Sequence, residues 1–167
     1  IFLIRAYADL LKEFPDLELL VIGRLREGPT DQELKKEGIK EKVKFISDLT
    51  GRQIAELYAE STIAVSPSVY EGFGFPAGEA MSCGIPLIST NGGSLPEVVG
   101  DAAIVVPHSN PKALKDAIKL LLKSPEKRLD LGNKGRKRVL EKFTWKRAAK
   151  ELVEVYREAI ENANNRS

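Results

Sequence analysis

The chain has 167 residues, 43% of them hydrophobic and 30% charged, which is the composition of one ordinary globular domain. The formal net charge is only +2, and Lys and Arg are interleaved with Asp and Glu, so the sequence does not predict a nucleic-acid-binding surface. No apolar run reaches the roughly 18 residues of a membrane span. The single cysteine, Cys83, excludes an internal disulfide, and we expect a reducing, cytoplasmic location.

The first part of the chain predicts a helix, a strand and a second helix. Apolar residues recur at helical spacing from the first residues to Phe14. The run "LELLVIG" is short, apolar and closed by a glycine, which is typical of a buried strand. After a polar loop, Thr30 is the predicted N-cap of a helix that runs to about Gly38.

The middle of the chain repeats this alternation of strand and helix. Thr50 and Gln53 have the spacing of a capping box, and Gly84 ends a helix that begins at Pro76. Further strands are predicted at 43–46, 63–66, 87–89 and 103–106. They are apolar almost throughout, as in a parallel sheet covered on both faces. The sequence therefore predicts an α/β fold, a doubly wound, Rossmann-like parallel sheet of five strands.

The last third of the chain is predicted to be helical. Asn110 precedes Pro111 as a cap precedes the first helical position, and Ser124 precedes a second proline in the same way. A final helix opens near Thr144. Trp145 and Tyr156 lie on it at a spacing consistent with packing, and we expect both in the core.

One loop of the predicted sheet is rich in groups that could bind a ligand. In an open parallel sheet, ligands bind outside the carboxyl ends of the strands. After the third strand, Gly72 and Gly74 let the backbone approach a ligand, and the helix opening at Pro76 presents free N–H groups to an anion. Glu71 and Glu79 flank this turn, and carboxylates suit the vicinal hydroxyls of a sugar or ribose. The residues alone fit equally well a glycine turn followed by an exposed glutamate.

Other loops carry weaker signals. Gly92 and Gly93 follow the fourth strand and could bring N–H groups to an anion, although an ordinary loop is the better interpretation of that motif alone. "VIGRLREG" lacks the spacing of a dinucleotide fingerprint, which speaks against a nicotinamide-dependent oxidoreductase. His108 has no nucleophile motif nearby, and one histidine with one cysteine does not make a usual zinc site.

The stretches "SPSVYEGFGFPAGEAMSCGIPLIST" and "GGSLPEVVGDAAIVVP" resemble the C-terminal donor-binding domain of retaining GT-B glycosyltransferases of the glycosyl transferases group 1 type. The resemblance implies that Glu71 is catalytic and contacts the transferred sugar, and that Glu79 holds the nucleotide ribose. It also implies donor-binding positions through the backbone or side chain at Gly72, Phe73, Gly74, Phe75, Gly23, Gly92 and Gly93.

The same resemblance implies an activity and a partner. Such enzymes, of hexosyltransferase type, transfer a sugar from a UDP, GDP or related donor with retention of configuration, without a bound metal or other cofactor. We expect residues 1–167 to form a single nucleotide-sugar-binding domain, truncated at its N-terminus and inactive by itself. The acceptor lobe, and an Arg and a Lys that would contact the diphosphate, would belong to the full-length chain, which could associate peripherally with a membrane. The alternative is the donor-binding subunit of a split glycosyltransferase.

Overall fold

The structure is a computed structural model that describes residues 1–164. Within that range, strands and helices alternate as the sequence predicts, and a short 3₁₀ turn at Lys40–Lys42 precedes the second strand. The elements in chain order are α1 (Phe2–Leu11), β1 (Leu19–Ile22), α2 (Pro29–Lys36), β2 (Val43–Ile46), α3 (Gly51–Glu60), β3 (Ala64–Ser66), α4 (Phe75–Ser82), β4 (Leu87–Thr90), α5 (Leu95–Val99), β5 (Ala103–Val106), α6 (Pro111–Lys123), α7 (Pro125–Lys142) and α8 (Trp145–Asn164).

Every strand pairing is parallel, which confirms the predicted fold class and the helical C-terminal segment. The strands do not form one continuous sheet, however. β1 pairs with β2 in a two-stranded sheet, and β3, β4 and β5 form a three-stranded sheet with β4 in the centre. The prediction of a single five-stranded sheet is wrong in this respect, because the open edges of β1 and β3 face a common cavity instead of each other.

Three hydrophobic clusters hold these layers together. The motif-side core lies between α4, α5 and one face of the three-stranded sheet. The central core lies between α1, α6 and the opposite face of that sheet. The β1–β2 core joins α1 and α2 to the two-stranded sheet.

Helix α1 belongs to two of these clusters and so connects the two sheets. Leu10 is fully buried in the central core, while Tyr7 is buried in the β1–β2 core. The Tyr7 hydroxyl donates to the carbonyl oxygens of Leu17 at 2.8 Å and Lys42 at 3.0 Å. Burial of a side chain such as Leu10 contributes about 1.5–3 kcal/mol. α1 is therefore a principal tie between the halves of the molecule.

Two of the helix caps predicted from the sequence are confirmed, and one is wrong. Thr50 Oγ1 accepts from the Gln53 N–H at 3.4 Å and Gln53 Oε1 accepts from the Thr50 N–H at 2.9 Å, which confirms the capping box. Asn110 Oδ1 accepts from the Ala113 N–H at 3.0 Å. The predicted cap at Thr30 is wrong: the N-cap is Gly28, two residues earlier, because the fixed φ of Pro29 suits the first helical position.

Helix α8 lies outside the three cores. None of its described residues is buried, Trp145 is 92% exposed and Tyr156 is 59% exposed. The prediction that these two aromatic residues are in the core is therefore wrong. Helical spacing shows that the helix has an apolar face, but it does not show that another element covers it. Among residues 1–164, no helix is long and apolar enough to cross a membrane.

Candidate functional site

The predicted site residues lie at the carboxyl ends of the parallel strands. The glycine-rich loop that follows β3, and the loop that follows β4, reach the same edge of the three-stranded sheet. Gly23 occupies the equivalent position after β1 in the two-stranded sheet. The fold therefore brings the motif after β3 next to Gly92 and Gly93, as expected for strand-end loops in this class of fold.

Gly74 forms the turn from this loop into α4. It is the N-cap of the helix and has a left-handed backbone, with φ of 92°. Its carbonyl oxygen accepts from the N–H groups of Ala77 at 3.0 Å and Gly78 at 3.2 Å. A Cβ atom at this position would lie 2.6 Å from Leu95 Cδ2. The left-handed backbone therefore favours glycine at position 74, and any side chain there would also have to displace the Leu95 methyl group.

The loop presents unpaired N–H groups at the start of α4. Within residues 1–164, no hydrogen-bond acceptor is found for the N–H groups of Gly72, Phe73 or Gly74. They precede an eight-residue helix, whose N-terminus carries a partial positive charge. Consecutive free donors at such a position are suited to bind the oxygens of a phosphate group.

Glu71 is fixed at its backbone, and the residue as a whole is half-buried. The Glu71 carbonyl oxygen accepts from the Ser94 N–H at 3.0 Å and from Ser94 Oγ at 3.1 Å. The Ser68 hydroxyl donates to Glu71 Oε1 at 2.8 Å. No partner for Oε2 is found in the part of the chain that the structure describes, so that oxygen is open to a ligand hydroxyl.

Gly92 and Gly93 lie against the backbone of this loop. A Cβ at Gly92 would lie 2.5 Å from the Val69 carbonyl oxygen, and one at Gly93 would overlap the Glu71 carbonyl oxygen. Gly93 also has φ of 60°. In addition, Thr90 Oγ1 donates to the Ser68 carbonyl oxygen. The two glycines therefore support the position of Glu71. This structural role is separate from the predicted role of their N–H groups in binding a ligand.

Glu79 lies one turn further into α4 and faces a different part of the surface. It lines a cavity of about 140 Å³ between α3 and α4. The pKa of Tyr58, which also lines this cavity, is raised to about 12 by burial and by the nearby charges of Glu79 and Cys83. The cavity can hold a small polar group beside the Glu79 carboxylate, but Glu71 does not line it.

The β1–β2 side of the site carries a charged pair. Gly23 has φ of 144° and donates its N–H to the Ile46 carbonyl oxygen at 2.7 Å. The next residue, Arg24, contacts Asp48 Oδ2 at 2.6 Å and donates to Ser47 Oγ at 3.2 Å. The Arg24 guanidinium, followed by the Ser47 hydroxyl, lowers the pKa of Asp48. The Arg24 guanidinium is therefore already paired with the Asp48 carboxylate.

Aromatic side chains form an exposed surface beside the loop. The rings of Phe73 and Phe75 are 5.0 Å apart, and Phe73 also packs edge-on against Phe143 at 5.6 Å. Phe75 is 71% exposed and Tyr70 is 78% exposed. We refer to Tyr70, Phe73 and Phe75 as the aromatic patch.

Sequence reasoning missed several residues that shape the site. Ser68, Thr90 and Ser94 hold the loop through hydrogen bonds, and Tyr58 shares the cavity of Glu79. The only available signal was their position at strand ends. His108 is exposed in the loop that follows β5. Residues 1–164 contain no cluster of three His, Cys, Asp or Glu side chains that could hold a metal ion.

Comparison with known proteins gives these features a context. The model of the glycosyl transferases group 1 family matches residues 2–138. The MMP alpha-(1->4)-mannosyltransferase of Mycolicibacterium hassiacum is 38% identical over 149 residues, which is 87% of this chain but only 36% of that enzyme. The chain thus spans little more than a third of the length of this relative.

Solved structures agree on the fold. The C-terminal domain of a glycosyl transferase group 1 family protein from Francisella tularensis is similar, with a TM-score of 0.73 and 27% identity over 86% of this chain and 78% of that domain. HepE of Anabaena, solved in complex with UDP, has a TM-score of 0.82 at 20% identity and covers 94% of this chain and 44% of its own. The predicted resemblance to the C-terminal domain of GT-B glycosyltransferases is confirmed, and the chain belongs to the glycosyl transferases group 1 family.

Proposed function

We propose that this chain is the donor-binding domain of a retaining glycosyltransferase, of hexosyltransferase type, and that its ligand is a nucleoside diphosphate sugar. The observation that carries the proposal is the loop after β3. It combines unpaired N–H groups at Gly72, Phe73 and Gly74 with a helix N-terminus and two carboxylates, Glu71 and Glu79. Donors of this kind suit a diphosphate, and carboxylates suit sugar hydroxyls.

Each part of the donor has a corresponding part of the site in this proposal. The diphosphate lies at the N-terminus of α4, against the loop N–H groups. The transferred sugar contacts the free Oε2 of Glu71, and the ribose contacts Glu79 at the α3–α4 cavity. Gly23, Phe75, Gly92 and Gly93 complete the surface around it. UDP is the first nucleotide to test, because the structurally similar HepE binds it.

The proposed reaction depends on stabilising the leaving diphosphate. Fixed N–H dipoles lower the energy of charge that develops on the leaving group without moving during the reaction. The proposal needs no resident cofactor or metal. It does need an acceptor lobe and cationic side chains from the rest of a longer, cytoplasmic or peripherally membrane-associated protein, so the present chain alone would bind a donor but not transfer its sugar.

Calorimetric titration with UDP, GDP and ADP tests donor binding. We expect the preferred nucleotide to bind with a dissociation constant of about 0.1–1 mM, since only part of the site is present. Glu79→Gln should weaken that binding, whereas Glu158→Gln on the exposed helix α8 should leave it unchanged. Failure of all three nucleotides to bind at millimolar concentration would contradict the proposal.

Transfer is tested in the longer protein that contains this domain. Glu71→Gln should lower the rate of sugar transfer more than it lowers nucleotide affinity, because Glu71 is assigned to the sugar and Glu79 to the ribose. NMR of the product should show the anomeric configuration of the donor. An inverted product, or equal and negligible effects of Glu71→Gln and Glu79→Gln, would refute these assignments.

A second candidate is a donor-binding subunit that works with a separate acceptor chain. The aromatic patch supports it, because exposed aromatic side chains beside a ligand site are typical of protein interfaces. A single polypeptide that carries both lobes and transfers sugar as a monomer would exclude this candidate.

A further inference from the structure

The Glu71 carboxylate receives a hydrogen bond from within its own loop. The Ser68 hydroxyl donates to Glu71 Oε1 at 2.8 Å, whereas no partner for Oε2 is found among residues 1–164. A glutamate side chain has three rotatable bonds, so without such a contact its carboxylate would sample several positions. The Ser68 hydroxyl therefore fixes which oxygen of Glu71 is engaged and which one stays open to a ligand.

Ser68 can hold this carboxylate because its own backbone is held by the neighbouring strand. The Ser68 carbonyl oxygen accepts a hydrogen bond from Thr90 Oγ1, and a Cβ atom at Gly92 would lie 2.7 Å from the same oxygen. Thr90 ends β4 and is fully buried. A hydroxyl is costly to bury unless it is hydrogen-bonded, so this contact satisfies Thr90 and fixes Ser68 at once. A path of contacts thus runs from the buried end of β4, through the Ser68 backbone, to the Glu71 carboxylate.

The turn around Glu71 does not depend on the Ser68 hydroxyl alone. Ser68 and Glu71 are three residues apart, and a serine at such a spacing often serves only to stabilise a turn. Here, however, the Ser94 N–H and Oγ both donate to the Glu71 carbonyl oxygen, and Gly93 packs against the same group. These contacts fix the Glu71 backbone from the other loop. What the Ser68 hydroxyl adds is control of the Glu71 side chain.

We propose that Ser68 is a positioning residue for the Glu71 carboxylate and, through it, determines the affinity for the sugar part of the donor. This assignment rests on the proposed function, in which Glu71 Oε2 contacts the transferred sugar. Ser68 itself touches neither the sugar nor the nucleotide in this arrangement. Loss of its hydroxyl should therefore weaken the binding of a nucleoside diphosphate sugar without weakening the binding of the nucleoside diphosphate.

NMR of the chain without ligand tests the positioning itself. Three-bond couplings along the Glu71 side chain report whether it occupies one rotamer or several. We expect one rotamer in the original chain and in Ser68→Thr, which keeps the hydroxyl, and averaged couplings in Ser68→Ala. The matched control is Ser61→Ala, which removes an exposed hydroxyl that donates to the Leu57 carbonyl oxygen near the end of α3 and should keep the single rotamer. Averaged couplings already in the original chain, or unchanged couplings in Ser68→Ala, would overturn the proposal.

Calorimetric titration tests the consequence for the donor. The best-binding nucleotide among UDP, GDP and ADP is compared with its glucose and mannose esters, and the ratio of the ester's affinity to the nucleotide's affinity is measured for each variant. Ser68→Ala should lower this ratio about fivefold and leave the nucleotide affinity unchanged, because the carboxylate that contacts the sugar loses its hydrogen bond. Ser68→Thr should restore the ratio, and Ser61→Ala should change neither affinity. A role in the turn alone would lower both affinities together and leave the ratio unchanged, which would refute the role of Ser68 in positioning.

Glu71→Gln separates the role of Ser68 from the proposed function. If Glu71→Gln lowers the ratio and Ser68→Ala does not, the role of Ser68 is refuted and the proposed function stands. If Glu71→Gln also leaves the ratio unchanged, or no nucleotide binds, the proposed sugar contact fails and the role of Ser68 fails with it. In the double variant, Ser68→Ala should add nothing to the loss caused by Glu71→Gln, because both changes act on one contact. Additive losses would show that Ser68 acts by another route and would overturn the proposal.

Discussion

The loop after β3 and the loop after β1 lie at equivalent strand ends, yet they are held in different ways. The loop after β3 contacts the loop after β4 through backbone atoms: Gly93 lies against the Glu71 carbonyl group, and Ser94 donates to the same oxygen. The loop after β1 is held mainly by the Arg24–Asp48 pair, whose two side chains are about two-thirds exposed. One side of the candidate site is therefore fixed by packing, and the other by a solvated ion pair.

This difference bears on how the proposed ligand would bind. Groups that are already held in place lose little freedom when a ligand binds, whereas mobile side chains must be ordered at that moment. We expect Glu71 and the free N–H groups to be pre-arranged for a diphosphate sugar. The Arg24 side chain, by contrast, can change partner at little cost, because exposed ion pairs are weak.

The largest effect on stability is expected for Gly93→Ala, which disrupts the backbone contact between the loops after β3 and β4. The new methyl group would overlap the Glu71 carbonyl oxygen and sit on a backbone with φ of 60°. Strain and overlap together should lower the free energy of unfolding by about 2–4 kcal/mol. Chemical denaturation measures this loss. Gly51→Ala, which meets no atom within 4 Å at the start of α3, is the control. Equal effects of the two substitutions would show that the packed contact is not important.

The next largest effect is expected for Arg138→Met, which removes hydrogen bonds that hold α5, the helix after the Gly92–Gly93 loop. Arg138 of α7 donates to the carbonyl oxygens of Glu97 at 2.7 Å and Val98 at 2.8 Å, near the end of α5. Loss of these two hydrogen bonds should lower the free energy of unfolding by about 1–2 kcal/mol. Ser94 directly precedes α5, so donor binding should weaken as well. Arg157→Met on α8 should change neither quantity, and unchanged melting of Arg138→Met would refute this role.

Low pH should destabilise the β1–β2 side of the molecule, because it protonates a carboxylate of the ion pair between α1 and α2. Arg5 holds Glu33 with two hydrogen bonds, at 2.8 Å and 2.9 Å, and lowers the pKa of Glu33 to about 2. A carboxyl whose pKa falls from 4.5 on folding stabilises the folded state above pH 4.5, and this stabilisation is lost as the pH falls towards 2. The melting temperature should therefore fall more steeply over that range in the original chain than in Glu33→Gln. Parallel curves for the two proteins would contradict the linkage.

The smallest effect on stability is expected for Arg24→Gln, on the exposed side. An exposed ion pair contributes little to the free energy of unfolding, and salt should reduce even this contribution. Thermal melts at low and high salt measure it. A loss comparable to that of Gly93→Ala would mean that the two sides of the site are held equally firmly, and would remove the contrast between them.

Much of the fold could be predicted because it depends on local patterns. The alternation of apolar strands with capped helices, the capping box at Thr50 and the cap at Asn110 all depend on neighbours within a few residues. The error at Thr30 is also local, because a threonine and the proline just before it can each mark the start of a helix.

The features that could not be predicted depend on distant parts of the chain. Nothing in "NGGS" indicates that Gly93 packs against Glu71, more than 20 residues earlier. The separation of β1 from β3 is likewise a property of tertiary pairing. For Trp145, the pattern correctly indicated an apolar helix face but could not show whether any part of the chain covers it.

The exposure of Trp145 has a practical consequence for optical experiments. It is the only tryptophan of the chain, and its ring is already 92% open to solvent in the folded state. Its fluorescence should therefore change little when the cores unfold, and circular dichroism is the better probe of stability. The same emission should shift to shorter wavelength when another surface covers α8, so this single indole reports docking at that helix.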